Sequence, residues 1–198
     1  MLKQPFTAIV SGPTGCGKTT FIAKLIRNST SLISPQPTSI LYCYGAWQEE
    51  FNDFEGVEFN EGLPDKTHLH NGRLIIIDDL MSEADQRVES LFTKHSHHSN
   101  VSIIFISQNF FNKNMRTITL NPHYLFLFKS PRDMSQIGHL GRQMYPSKTK
   151  FFLDVFHDAT KLPFSCLIVD LKPDTDDEYR LRSGMFEDEN VYVYTPRR

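Results

Sequence analysis

Residues 12–19 read GPTGCGKT and fit the pattern G-x-x-x-x-G-K-[ST] at every defined position. A turn this rich in glycine can point successive backbone N–H groups inward, around the oxygens of a nucleotide triphosphate. Lys18 is placed to reach the β and γ phosphates, and the hydroxyl of Thr19 to take one position on Mg²⁺. The predicted nucleotide-binding residues are Gly12, Pro13, Thr14, Gly15, Cys16, Gly17, Lys18, Thr19 and Thr20.

The segments on either side of this loop have the structure that a phosphate site requires. Residues 6–10 (FTAIV) are short, apolar and partly β-branched, which predicts a buried strand. Residues 18–28 predict a helix whose apolar side chains fall on one face. The N-terminus of that helix adds a partial positive charge at the phosphates.

Two adjacent carboxylates, Asp78 and Asp79, close the strand predicted at residues 73–79, which is apolar until its end. Asp78 stands where a buried strand ends, at the sheet edge where ligands gather in α/β folds, so it is predicted to hold Mg²⁺ opposite Thr19. Asp79 is predicted to orient or deprotonate the attacking water, a role that glutamate usually fills. The alternative for Asp79 is to cap the following helix.

Gln108 follows the strand predicted at residues 101–107 and is a candidate sensor of the γ phosphate or of the attacking water. A charge-stabilising arginine is not obvious within the chain. Arg116 is the first candidate for an arginine supplied to a neighbouring subunit, with Arg132 and Arg142 as rivals. Each of them could equally be a solvated surface side chain.

Two further segments are candidate DNA contacts. Residues 94–98 (KHSHH) lie at a predicted helix end, and their spacing does not favour a metal site. Residues 110–114 (FFNKN) mix aromatic and basic side chains. Ordinary loop surface is an equally good interpretation of both. The base-reading motif [NT]-K-x-D of GTPases is absent, which favours ATP over GTP.

Composition bounds the class of protein. The chain has 198 residues, of which 39% are hydrophobic and 22% charged, and this predicts one soluble globular domain. No apolar run reaches the ~20 residues of a membrane span, and no secretion signal is recognisable. Three widely spaced cysteines predict free thiols in a reducing, intracellular compartment. A net charge of −2 gives no global signal of nucleic-acid binding.

The predicted elements alternate along the chain. Further strands are predicted at 39–44, 123–128 and 165–171, and helices at 83–95, 131–144 and 148–160. This alternation predicts an α/β fold with a mainly parallel central sheet. A single domain would span residues 1–198, with a core of about 5–171 and an acidic C-terminal extension of about 172–198.

The phosphate loop, residues 74–79 (LIIIDD) and residues 103–108 (IIFISQ) together resemble the viral genome-packaging ATPases of the FtsK/HerA superfamily. The branch is the vaccinia-type packaging ATPase, found also in adintovirus and Polinton-like elements. Residues 91–98 (LFTKHSHH) and 116–133 (RTITLNPHYLFLFKSPRD) are similar to that branch as well.

The resemblance implies a RecA-like (ASCE) P-loop NTPase fold, a three-layer sandwich with a mainly parallel sheet. It implies ATP and Mg²⁺ as ligands and a homo-oligomeric ring, pentameric or hexameric. The activity implied is ATP-driven packaging of double-stranded DNA into a capsid, with a capsid or portal protein as partner and no membrane. Such a protein would act in the host cytoplasm or nucleus.

Through these motifs, the resemblance implies the family's site roles for Lys18, Thr19, Asp78, Asp79 and Gln108. It does not securely assign an arginine finger to any residue of this sequence. Two other functions stay open from the residues alone. One is a nucleotide-type small-molecule kinase, although no segment is rich in the arginines that its lid would need. The other is a non-enzymatic assembly factor that uses nucleotide as a structural switch.

Overall fold

The computed structural model describes residues 1–78, 80, 100–108 and 122–196, which form a central sheet with helices on both faces. The described strands are β1 (Leu2–Lys3), β2 (Thr7–Ser11), β3 (Ile33–Ser34), β4 (Ile40–Tyr44), β5 (Val57–Glu61), β6 (Leu74–Asp78), β7 (Ser102–Ser107), β8 (Tyr124–Phe128), β9 (Cys166–Asp170), β10 (Leu181–Ser183) and β11 (Tyr192–Val193). Nine of these strands form the central sheet, and β1 pairs separately with β3.

The described helices lie between the strands. They are α1 (Lys18–Arg27), α2 (Ser29–Leu32), α3 (Met134–Met144) and α4 (Thr149–Ala159), with 3-10 turns at Glu49–Asp53, Lys66–His68 and Asp177–Tyr179. None of the helices in the described part of the chain is long and apolar enough to cross a bilayer.

The strand order across the sheet is β11-β10-β9-β8-β2-β7-β6-β4-β5. All strands from β8 across to β5 run parallel, which confirms the mainly parallel sheet predicted from the sequence. The strand before the phosphate loop, β2, is central. One strand, β7, separates it from β6, the strand that ends in Asp78.

Successive side chains of a strand point to opposite faces, so the central strands feed two separate cores. Val10 of β2 belongs to the core that contains Ile22 and Leu25 of α1. Ile9 belongs to the core on the other face, which contains Phe152 of α4. Because both faces are covered, these strands are mostly apolar, as parallel strands usually are, and their polar residues stand at the strand ends. The result is a three-layer α/β architecture.

The sheet changes direction after β8. β9 pairs antiparallel with β8, so that Phe128 at the end of β8 lies opposite Cys166 at the start of β9. The chain between β8 and β9 forms two successive helices, α3 and α4. Together they return the chain to the carboxyl end of β8, so β9 starts there and runs in the opposite direction. β10 and β11 extend the sheet antiparallel on this side.

One segment differs from its predicted structure. Two prolines, Pro35 and Pro37, favour a loop over residues 29–38, but the first half of this segment contains α2 and β3. The pairing of Leu2 with Ile33, both buried, explains the difference, because a local propensity is overridden by a tertiary contact. The helix predicted at 83–95 lies outside the described residues.

Candidate nucleotide-binding site

The phosphate loop joins the central strand β2 to the start of α1. Gly15 and Gly17 have φ angles of +78° and +100°, a left-handed conformation that glycine adopts without steric cost. Gly17 is also the N-cap of α1. The backbone therefore turns sharply between strand and helix, and the N–H groups of the first helical turn face the loop.

A close approach fixes the start of the loop. A Cβ atom on Gly12 would lie 2.6 Å from both Cys16 Sγ and Phe128 Cβ, so only glycine fits there. The backbone N–H of Gly12 donates to the carbonyl of Ser107, which ties the loop to the end of β7. The cradle is thus held by β7 and β8, the two strands that flank β2.

Lys18 folds back over the loop. Its ammonium donates to the carbonyl oxygens of Gly12, at 2.6 Å, and Pro13, at 3.0 Å, and lies 4.0 Å from Cys16 Sγ. These carbonyls hold the positive charge inside the cradle, where it can exchange a carbonyl for a phosphate oxygen. The geometry fits the phosphate-binding role predicted for this lysine.

Asp78 is buried at the carboxyl end of β6. It shares a strand face with Leu74 and Ile76, which belong to the core covered by α1. The carboxylate therefore lies on the side of the sheet that carries Lys18 and Thr19. Its register partner Ile106 is in turn paired with Val10, so the Asp78 and Val10 Cα atoms are two strand spacings apart, about 10 Å.

A buried tyrosine supports this carboxylate. The hydroxyl of Tyr42 donates to Asp78 Oδ2 at 2.7 Å. Burial, with the charge of Asp78 as a second cause, raises the pKa of Tyr42 well above its ordinary value. Tyr42 is therefore a neutral, permanent hydrogen-bond donor. The sequence alone does not mark Tyr42 as a site residue, because nothing in a strand pattern distinguishes a tyrosine two positions from a strand end.

The remaining predicted residues divide into three groups. Gln108 is exposed and directly follows β7, at the sheet edge where Ser107 pairs with Ser11 at the entrance to the phosphate loop. The structure thus brings Gln108 to the same edge as the cradle and Asp78. Asp79 and Arg116 lie outside the described residues, as do residues 94–98 and 110–114. Arg132 and Arg142 are exposed, at the start and end of the α3 region.

The donor set fits a magnesium ion. Mg²⁺ prefers oxygen ligands and is commonly held by one or two protein oxygens together with substrate phosphates. The Thr19 hydroxyl and the Asp78 carboxylate supply such oxygens on one face of the sheet. Among the residues that the structure describes, no cluster of three or more histidine, cysteine or acidic side chains offers a metal site of its own.

No protein-family model matches the chain, and a search of curated protein sequences finds no significant match. Among solved structures, the chain is similar to the genome packaging NTPase of Sulfolobus turreted icosahedral virus 2, in complex with ATP-gammaS. The two are 11% identical with a TM-score of 0.54, over 96% of this chain and 97% of the other. At this identity the likeness shows the fold alone, which is an α/β fold of the RecA-like kind with a mainly parallel central sheet.

Proposed function

We propose that this chain is an ATP-hydrolysing motor that moves double-stranded DNA into a viral capsid. The observation that carries the proposal is the placement of a complete phosphate loop and a buried strand-terminal carboxylate, Asp78, on one face of a RecA-like sheet. A genome packaging NTPase has the same fold over nearly the whole chain, which supports the packaging role.

In this proposal the loop N–H groups and Lys18 bind the triphosphate, and Thr19 and Asp78 hold Mg²⁺. When bound, the ion neutralises charge on the β and γ phosphates. Asp79 takes a proton from the attacking water, whose oxygen bonds to the γ phosphorus as the bond to the ADP oxygen breaks. Gln108 orients that water, and Arg116 of one subunit stabilises the charge at the site of its neighbour.

A ring explains how a chain of net charge −2 could hold DNA. A few basic loop residues in each subunit are multiplied around a central pore, and their phosphate contacts do not depend on sequence. We propose that basic side chains of residues 94–98 and 110–114 supply some of these phosphate contacts. The ring would be a pentamer or hexamer that docks on a capsid or portal protein, in the cytoplasm or nucleus of the host.

The test is the rate of phosphate release by the assembled oligomer, measured with and without double-stranded DNA. We expect turnover that DNA stimulates and that Lys18→Ala abolishes. Transfer of phosphate to a nucleoside acceptor in the same assay would instead identify a kinase. Assembly that responds to nucleotide without any turnover would identify a structural switch. Turnover that DNA leaves unchanged in a complete oligomer would refute the packaging role.

A further inference from the structure

The C-terminal segment, residues 184–190, packs against α1, the helix that follows the phosphate loop. Lys24 of α1 lies 2.9 Å from Asp188 Oδ2 and 3.9 Å from Glu189 Oε1, and its ammonium is 5.2 Å from the ring centroid of Phe186. Phe186 is buried, and its ring centroid lies 5.5 Å from that of Phe21. These contacts hold the C-terminal segment along one side of α1.

Internal contacts also give this segment a defined shape. Glu189 accepts hydrogen bonds from the backbone N–H groups of Met185, at 3.0 Å, and Phe186, at 3.5 Å. Gly184 has a φ of +74°, and a Cβ there would collide with the carbonyl of Asn190. The segment is therefore a closed turn, suited to form a wall.

A cavity of about 780 Å³ lies between this wall and α1. On the helix side it is lined by Gly17, Thr20, Phe21 and Lys24, whose spacing of three to four residues places them on one face. It therefore begins at the phosphate loop and continues for about 10 Å down the helix axis, given a rise of 1.5 Å per residue. Its volume is in the range typical of small-molecule sites.

The charges of the cavity determine which part of a nucleotide can enter it. Its lining includes three carboxylates, Asp158, Asp188 and Glu189, against two lysines, Lys24 and Lys161. Lys24 is already paired with Asp188. A triphosphate would be repelled here and held at the loop, whereas a base with an exocyclic amine finds acceptors and apolar walls.

An exposed aromatic side chain stands at the junction of cavity and loop. Residues 162–165 form a turn in which Ser165 N–H donates to the Leu162 carbonyl at 3.3 Å. Pro163 and Phe164 occupy the two central positions, and Phe164 has a φ of +64°. This is the pattern of a type II turn, in which glycine is the residue without strain at the second central position.

Phenylalanine is therefore an unfavourable choice at position 164 for the turn itself. Its side chain also contributes little to the core, because the residue is 68% exposed. The ring instead lies over the loop, since a Cβ on Gly17 would come within 2.8 Å of Phe164 Cδ1. Residues with a strained backbone are concentrated at ligand sites, so an exposed residue with this conformation beside the phosphate loop points to a functional role.

We propose that this cavity is the nucleobase pocket of the ATP site, with the Phe164 ring as the stacking platform for adenine and the C-terminal segment as the outer wall. The inference rests on the proposed function, since it takes the triphosphate to bind at residues 12–19. It gives the C-terminal extension a role in holding the nucleotide.

The test compares Phe164→Gly with the wild-type chain in binding ATP and inorganic tripolyphosphate by calorimetry. Stacking of a base on an aromatic ring predicts a loss of about tenfold or more in ATP affinity. Tripolyphosphate, which has no base, should bind within twofold of wild type. Glycine relieves the turn, so the melting temperature should not fall. Phe164→Tyr should retain ATP affinity, and Tyr179→Ala, an exposed aromatic outside the cavity lining, should not affect it.

Two results would overturn the inference while leaving the proposed function intact. One is unchanged ATP affinity in Phe164→Gly. The other is an equal loss for ATP and tripolyphosphate, which would mean that the ring shapes the phosphate loop and does not contact the base. A wild-type chain that bound neither ligand would instead refute the proposed function itself, and the pocket with it.

Discussion

Tyr42 donates a 2.7 Å hydrogen bond to Oδ2 of Asp78 from the adjacent strand β4. The bond joins two buried groups on the face of the sheet that α1 covers. Because the tyrosine pKa is raised by burial, the donor keeps its proton across the physiological range and beyond. Asp78 is therefore oriented by a fixed partner before any ligand arrives.

Replacing Tyr42 with phenylalanine should weaken both the fold and the metal site. Loss of a buried hydrogen bond to a charged group predicts a fall of about 2 kcal/mol in the free energy of unfolding, measured by urea denaturation. The half-saturating Mg²⁺ concentration for ATP turnover should rise several-fold. Tyr44→Phe is the matched control, since Tyr44 is on the same strand and its ring packs against Trp47. Equal Mg²⁺ dependence in the two variants would contradict a positioning role.

A second prediction compares two loop glycines. Both have left-handed φ angles, but a Cβ on Gly17 meets the Phe164 ring at 2.8 Å, whereas a Cβ on Gly15 meets nothing within 4 Å. Gly15→Ala should therefore carry only backbone strain, about 1–2 kcal/mol. Gly17→Ala adds a collision at the start of α1 and should weaken ATP binding further. Similar ATP affinities for the two variants would show that the contact with Phe164 has no effect on the loop.

Alkylation of Cys16 should block nucleotide binding. Cys16 is half-buried in the cradle, whereas Cys43 and Cys166 are buried in the cores and should react far more slowly. Burial raises the pKa of Cys16, so its thiolate fraction is lower than that of an ordinary thiol at any given pH, and labelling by iodoacetamide should accelerate into the alkaline range. Cys16→Ser should bind ATP and resist inactivation. Full modification of Cys16 with unchanged ATP affinity would disprove the prediction.

Asp79→Asn and Gln108→Ala should separate catalysis from binding. Removal of a general base lowers turnover by about 10²–10⁴-fold, and we expect Asp79→Asn to fall in that range with ATP affinity retained. Gln108→Ala should lower turnover by a smaller factor. Gln143→Ala, an exposed glutamine on α3, is the control. If Asp79 only caps a helix, Asp79→Asn will leave turnover nearly unchanged.

The central strands and the phosphate loop could be predicted because local rules and the fold agree there. Residues 12–19 need glycine for the turn, and β6 needs an apolar run because both of its faces are covered. The antiparallel orientation of β9 could not be predicted from its sequence pattern, since a buried apolar strand has the same pattern whether it runs parallel or antiparallel to its neighbour. Its direction depends on the two helices before it.

The supporting residues of the site depend on contacts that are distant in sequence. Tyr42 meets Asp78 across 36 positions, and Lys24 meets Asp188 across 164. Neither pair has a local signature. The sequence does contain a local signal for the turn at Phe164, because Pro163 favours a turn whose next residue has a left-handed conformation. That signal becomes meaningful only once the fold brings the turn beside Gly17.

The most direct test of this account is a crystal structure with Mg²⁺ and a non-hydrolysable ATP analogue. We predict that the β and γ phosphates lie in the loop of residues 12–19, next to Lys18, and that Thr19 and Asp78 share one magnesium ion, directly or through water. An analogue bound elsewhere at saturating concentration, or a magnesium ion that Asp78 does not approach, would contradict the central claim.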